Sequence, residues 1–139
     1  MTLKDKIRAE KAERELRNLK FEQLWQKAVE AGNKAAIEGK PPRMGVRDLN
    51  GKLVGVVDDG ACGFAWIKVR PGNCRFANWG KKTGLFKKDW NGGVMHWVSA
   101  FGQSVDRKAA FAGGVQRVLR EGLAELDPKA KVWGQSRLD

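Results

Sequence analysis

The chain has 139 residues, 42% of them hydrophobic and 31% charged, which is typical of one globular domain and excludes a disordered tail or a membrane protein. No apolar run approaches the roughly 18 residues of a spanning helix, and the charged N-terminus does not resemble a signal peptide, so we expect a cytoplasmic protein. Twenty-seven Lys and Arg against 16 Asp and Glu give a formal net charge of +11, which favours a polyanionic partner.

Residues 3–38 predict one long helix, because apolar side chains recur at three- and four-residue steps without an internal proline. In its first half, charges of alternating sign predict a solvated segment that projects from the body. The apolar stripe becomes dense between Leu16 and Ile37, where we expect the helix to dock on a sheet. Gly32 and Asn33 mark a point where it can break or kink.

Beyond Pro41 and Pro42, period-two runs separated by turn residues predict a sheet. The predicted elements are a hairpin over 45–57 turning at Asn50-Gly51, a strand over 64–70, a short helix capped by Asn73 and ended by Gly84, a strand over 94–101, a helix from Ser104 to about Glu121 with Gly122 as its stop, and a strand within 130–138. This order predicts an α+β fold, with a mainly antiparallel sheet of about five strands and helices packed on one side. We divide the chain into a charged N-terminal helix, residues 1–40, and a single α+β domain, residues 41–139.

In one stretch of the sequence, all the charged residues are basic, because no acidic residue lies between Lys68 and Lys88. Aromatic side chains alternate with its cations, an arrangement that single-strand binding proteins use to neutralise phosphates and stack on bases. The predicted nucleic-acid-binding residues are Lys68, Arg70, Arg75, Lys81, Lys82, Lys87, Lys88 and Trp66. The choice between DNA and RNA, and between single and double strands, stays open.

The aromatic residues of this stretch have an alternative role in the core. We interpret Phe76 and Trp79, three residues apart on the predicted short helix, as core residues. Trp66 alternates with the apolar Ala65 and Ile67, so it lies on the opposite face of its strand. It is therefore either covered by the N-terminal helix or presented to a ligand.

The sequence offers little for catalysis. His96 is the single histidine and sits between valines, so we interpret it as a packed, hydrogen-bonded core residue. Cys62 and Cys74 are interpreted as free thiols, and Asp58 with Asp59 as turn residues. We therefore predict no catalytic residue, no metal site and no cofactor.

Several segments resemble those of a group of small uncharacterised phage and prophage proteins. They are Gly60-Ala61-Cys62-Gly63-Phe64-Ala65-Trp66, Gly92-Gly93-Val94 with Trp97-Val98, Gln103-Ser104, and the ending Ser136-Arg137-Leu138-Asp139. The resemblance covers roughly residues 20–139 and brings no activity with it. It implies a viral or mobile-element origin and action inside a bacterial cell.

Two functions follow from these features. The first is a non-enzymatic, phage-encoded basic protein that binds DNA or RNA. The alternative is a phage-encoded inhibitor or adaptor that docks on a host protein or nucleoprotein complex, such as a defence system or a polymerase, through its charged helix. A small hydrolase or nuclease has the least support, since no paired acids, His cluster or nucleophile elbow is present. We expect no membrane partner, and the sequence does not set the oligomeric state.

Overall fold

The computed structural model of the chain describes residues 2–38, 44–47, 53–57, 63–101 and 104–138. The first helix, α1 (Leu3–Glu38), is continuous over 36 residues. Its first turn is capped reciprocally: the Thr2 hydroxyl accepts from the Asp5 amide at 3.2 Å, and the Asp5 carboxylate accepts from the Thr2 amide at 3.1 Å. The long N-terminal helix is confirmed, and it continues through Gly32 instead of breaking there.

The other described elements form two antiparallel sheets and two further helices. They are β1 (Met44–Arg47), β2 (Leu53–Val57), β3 (Gly63–Arg70), α2 (Arg75–Thr83), β4 (Lys87–Lys88), β5 (Val94–Trp97), α3 (Val105–Leu126) and β6 (Lys131–Leu138). β1 pairs with β2, and the remaining strands form a separate sheet in the order β4-β5-β3-β6 with every neighbouring pair antiparallel. The α+β class is therefore confirmed, whereas the single sheet of about five strands is replaced by a four-stranded sheet and a two-stranded one.

Two strands differ in extent from their predictions. β4 has two residues, both lysines, and so offers no alternating pattern to detect. β5 ends at Trp97 and does not continue to Phe101, whose φ of 68° is left-handed and incompatible with a strand. Sheet-like bonding persists for one residue beyond β5, since the Val98 amide donates to the Ala65 carbonyl at 3.0 Å.

The predicted hairpin pairs as expected, with Met44 opposite Val57. Several predicted turn and motif residues lie outside the described residues: Pro41, Pro42, Asn50, Gly51, Asp58, Asp59, Gly60, Ala61, Cys62, Gln103 and Asp139.

The ends of α2 are set by a thiol and a glycine. Cys74, not Asn73, caps the helix, because its Sγ accepts from the Ala77 amide at 3.4 Å. Gly84 ends the helix in the left-handed region at φ 80°, as predicted.

Close approach of α1 and α3 explains three of the glycines inside these helices, Gly32, Gly114 and Gly122. Ser104 caps α3 as predicted, with its Oγ accepting from the Arg107 amide at 3.3 Å. The helix then runs past Gly122 to Leu126, because Gly122 lies against Leu24 of α1 and is not a helix stop.

The core lies between the sheet and the helices. α3 packs on β3 and β6, and α1 packs on α3. The residues of β3 that face α3, Ala65, Ile67 and Val69, are wholly buried. The buried face of α1 begins at Phe21 and not at Leu16, which is 55% exposed. α1 therefore docks chiefly on α3, and it reaches the sheet where Trp25 contacts His96 of β5.

Candidate nucleic-acid interface

The sheet has a second face, opposite α3, which we call the open face. Strand register assigns its residues, since directly paired residues of antiparallel strands point to the same side. They are Lys87 of β4, Met95 and Trp97 of β5, Phe64, Trp66, Lys68 and Arg70 of β3, and Lys131, Trp133, Gln135 and Arg137 of β6. This set holds four aromatic rings and five cations, and none of its members is acidic.

Three of the rings form one cluster. Trp66 and Trp97 are directly opposite each other on β3 and β5, with ring centroids 5.7 Å apart and planes within 3° of parallel. Phe64 lies 5.3 Å from Trp97. The Trp66 Nε1 donates to the Gln135 side chain at 3.0 Å, which fixes the indole, while Trp97 stays 44% exposed. The cluster is an oriented aromatic surface that solvent can reach.

Guanidinium groups lie near two rings of the open face, Trp133 and Phe64. The Arg70 guanidinium carbon is 5.3 Å from the centre of the Trp133 ring, and that of Arg137 is 5.7 Å from the centre of Phe64. Both distances fall within the range of cation–π attraction. Both arginines thus place positive charge beside the rings of the open face.

Lys68 differs from the other cations of the face. It is 6% exposed, and its Nζ lies 2.9 Å from Oδ2 of the equally buried Asp89. The hydrogen bond from Lys68 holds the pKa of Asp89 below its usual value, against the effect of burial. Because its ammonium is buried and already neutralised, we leave Lys68 out of the candidate interface.

The same ion pair anchors the turn between β4 and β5. Asp89 Oδ1 accepts from the Asn91 amide at 3.3 Å. Arg70 donates to the Asn91 carbonyl at 2.6 Å and to the Gly92 carbonyl at 3.3 Å. Trp90, at the tip of this turn, is completely exposed.

Three predicted site residues, Arg75, Lys81 and Lys82, lie on α2 and not on the open face. They are exposed, whereas Phe76 and Trp79 on the same helix are buried in the core, as predicted. Lys88 is also exposed, but its pairing with Val94 turns it to the helix side of β4. The structure thus gathers Trp66, Arg70 and Lys87 from the predicted set and separates the others.

The N-terminus of α2 has its amides occupied by the protein itself. The Phe76 amide donates to Asp127 Oδ2 at 2.9 Å, and the Ala77 amide donates to Cys74 Sγ. Asp127 therefore occupies the place that a phosphate would take at a helix start. Burial raises the pKa of the Cys74 thiol, so this residue stays a protonated capping group.

Sequence reasoning missed five of the rings and cations of the open face: Phe64, Trp97, Lys131, Trp133 and Arg137. The signal was present, because Trp133 and Arg137 alternate with the buried Val132 and with Gly134. They lie more than 40 residues beyond the basic stretch, however, and only the pairing of β3 with β6 brings them beside Trp66.

His96 belongs to the core side of the sheet, as predicted. Its ring lies 4.9 Å from Trp25 and 5.7 Å from Phe86, and its Nδ1 is 2.7 Å from the Leu85 carbonyl. Burial lowers the pKa of His96, and the hydrogen bond to Leu85 opposes this in part. The neutral ring donates from Nδ1, so His96 acts as a packed polar residue.

Comparisons with known proteins assign no family to this chain. No protein-family model matches the sequence, and comparisons with curated proteins and with solved structures find no significant match. None of the described helices has the length and apolar character that a membrane crossing requires.

Proposed function

We propose that the chain is a non-enzymatic basic protein that binds nucleic acid through the open face of its four-stranded sheet. The observation that carries this proposal is the composition of that face: aromatic rings and cations from four strands, with no carboxylate among its strand residues. Phosphates are recognised by charge and by N–H groups, and base faces by aromatic rings.

The proposed contacts are distributed over the strands. Trp97 and Trp66 offer stacking surfaces in the centre, and Lys87, Arg70, Lys131 and Arg137 provide positive charge around them. The cations on α2, Arg75, Lys81 and Lys82, contribute to the long-range field that attracts a polyanion without contacting the same surface.

The test compares two double variants of equal charge. Lys87→Ala/Arg137→Ala removes two cations from the open face, and Arg75→Ala/Lys82→Ala removes two exposed cations from α2. Both are titrated with single- and double-stranded DNA and with RNA at several salt concentrations. The first variant should reduce the log–log salt slope by about 1.4 on single strands, or 0.7 for each lost phosphate contact, while the second should leave the slope nearly unchanged.

Equal losses in both variants would show that net charge alone drives binding and would remove the open face from the proposal. Binding that does not depend on salt, or the absence of binding to every nucleic acid, would dispose of the function itself.

We further propose that the protein is phage-encoded and acts inside a bacterial cell. The resemblance of its glycine- and tryptophan-containing segments to phage and prophage proteins supports this origin. Detecting the coding sequence between phage structural or replication genes in a bacterial or viral genome would test it.

A second candidate function, an inhibitor or adaptor for a host protein or nucleoprotein complex, has one favouring observation. The first half of α1 is solvated, and its apolar side chains are open to solvent: Leu3 is 74% exposed and Ile7 is 55% exposed. A pull-down from nuclease-treated bacterial lysate, with the full chain and with a variant lacking residues 1–16, tests this. A partner that is retained after nuclease treatment and lost with the truncation supports the adaptor, whereas a partner lost with the nuclease supports the nucleic-acid function.

A further inference from the structure

Trp90 is the most exposed large apolar side chain of the described residues, at 102%. It contributes nothing to the core, so its presence at the tip of a turn is not explained by packing. Exposed β4 lysines, Lys87 and Lys88, precede it in the chain. An indole in this setting can offer both its faces to a ligand.

The backbone that carries Trp90 is fixed on both sides. Asp89 on one flank is tied to the buried Lys68, and its amide donates to the Gly93 carbonyl at 3.0 Å. Arg70 holds the carbonyls of Asn91 and Gly92 on the other flank. Gly93 has a φ of 74° and packs against the Val69 backbone, where a Cβ does not fit. The turn is a built support that keeps Trp90 in a defined place.

Trp90 and Trp97 lie toward opposite ends of the β4–β5 hairpin. Trp97 and Gly93 are separated by four residues of β5 and its turn, or about 13 Å at about 3.3 Å per residue. The side chain of Lys87 lies between them on the open face, opposite Met95. Along its length, the hairpin thus carries the Trp97 ring, the Lys87 cation and, at its turn, the fully exposed Trp90 ring.

A single nucleic-acid strand has the matching chemistry, because it repeats accessible base faces with a phosphate between them. A duplex does not, because its base faces are covered by their stacked neighbours. We infer that the ligand of the open face is single-stranded, and that it extends from the Trp66–Trp97 pair to a base stacked on Trp90. This inference rests on the proposed function and adds to it the strandedness of the ligand and a second stacking position.

The experiment uses the full-length protein and three probes: single-stranded oligothymidylates of about twelve and about three nucleotides, chosen within and below the usual site sizes, and a duplex of about twelve base pairs. Trp90→Ala should weaken binding of the long single strand by about five- to 150-fold, the range for loss of one stacked base. It should leave the short strand and the duplex nearly unchanged. Trp90→Phe, which keeps a ring, should retain most of the affinity.

Trp97→Ala is the companion variant, because it removes a ring at the other end. It should weaken the long and the short single strands alike. Melting curves of all variants verify folding, and the complete exposure of Trp90 means that its replacement should not shift the melting temperature.

The outcomes separate this inference from the proposed function. Unchanged binding of the long single strand in both tryptophan variants, together with duplex binding that is lost in Lys87→Ala/Arg137→Ala, would overturn the single-strand inference and leave the function standing. An equal loss on duplex and single strand in Trp90→Ala would also overturn it. Failure to bind any of the probes would overturn both.

Discussion

Lys68 and Asp89 form an ion pair in which less than a tenth of either side chain is exposed. Removing both charges from water carries a desolvation cost of several kcal/mol per ion, which their attraction and hydrogen bonds must offset. Losing one partner leaves the other charge buried and unpaired. We therefore expect Asp89→Asn to lower the free energy of unfolding by about 3 kcal/mol in urea titrations at neutral pH. Glu125→Gln, a charge removal at an exposed site on α3, should change it by less than about 0.5 kcal/mol.

The same pair gives a test in acid. The pKa of Asp89 is lower in the folded state than in the unfolded chain, so its contribution is present above about pH 3.9 and is lost as the pH falls through the folded pKa. Asp89→Asn should lack this part of the acid-induced loss of stability. Identical pH profiles for the two proteins below about pH 4 would contradict the ion pair.

His96 makes a separate prediction near neutral pH. Its pKa is lowered by burial, so the unfolded chain takes up a proton before the folded protein does, and stability should fall as the pH drops below about 6.5. His96→Gln should be less stable at pH 7 but should show a flatter profile between about pH 7 and 5, measured by urea unfolding. A slope that is equally steep in this variant would assign the effect to other groups.

At the scale of elements, the crossing of α1 and α3 depends on missing side chains. A Cβ on Gly114 would lie 2.7 Å from the Ala31 carbonyl oxygen, and one on Gly32 would lie 2.8 Å from the Phe111 carbonyl oxygen. Backbone of one helix thus touches backbone of the other. The neighbour of Gly114 is another glycine-containing helix, α1, at Gly32.

Adjacent glycines supply a matched pair of variants. Gly114→Ala should destabilise the protein by about 1 to 3 kcal/mol, because the helices must separate to admit the methyl group. Gly113→Ala should stabilise it by up to about 1 kcal/mol, because its Cβ meets nothing within 4 Å and alanine favours the helix. Thermal or urea unfolding measures both, and a change of the same sign in the two variants would rule out the close crossing.

Individual elements were predictable to different degrees. α1, β3, α3 and β6 have periodic patterns that local sequence reports directly, and each was found close to its predicted position. β4 and the end of β5 could not be predicted in this way. Two lysines have no period, and the left-handed backbone conformation of Phe101 is set by its surroundings. Gly122 was misjudged as a stop because a glycine that ends a helix and one that packs beneath Leu24 look the same in sequence.

At the scale of the whole molecule, the positive charge is unevenly distributed. Residues 1–38 carry nine basic and seven acidic side chains, so the excess lies almost entirely in the remainder of the chain. The long helix, although rich in charge, is nearly balanced. Under the proposed nucleic-acid function, this distribution favours the body of the protein over the helix as the binding part.

Truncation separates the two proposed functions on this basis. Residues 1–16 carry five basic and four acidic side chains, and residues 2–16 are exposed. Their removal should change the free energy of unfolding by about 0.5 kcal/mol or less and should leave oligonucleotide affinity almost unchanged, as measured by unfolding and by fluorescence titration. A large loss of affinity would place the binding surface on α1 instead of the open face.

The sequence by itself determined the fold class, the long helix, the burial of Phe76 and Trp79, and the net positive charge, because periodicity and composition are local properties. Only the tertiary structure decided which cations share a surface with accessible rings. Strand pairing brings β6 beside β3 across more than 60 residues of chain, and it adds Trp133 and Arg137 to Trp66. Burial against Asp89 removes Lys68 from that surface, and the placement of α2 removes Arg75, Lys81 and Lys82. The physical reason is that a binding face is a property of distance in space, which a chain sets only when distant strands bond to one another.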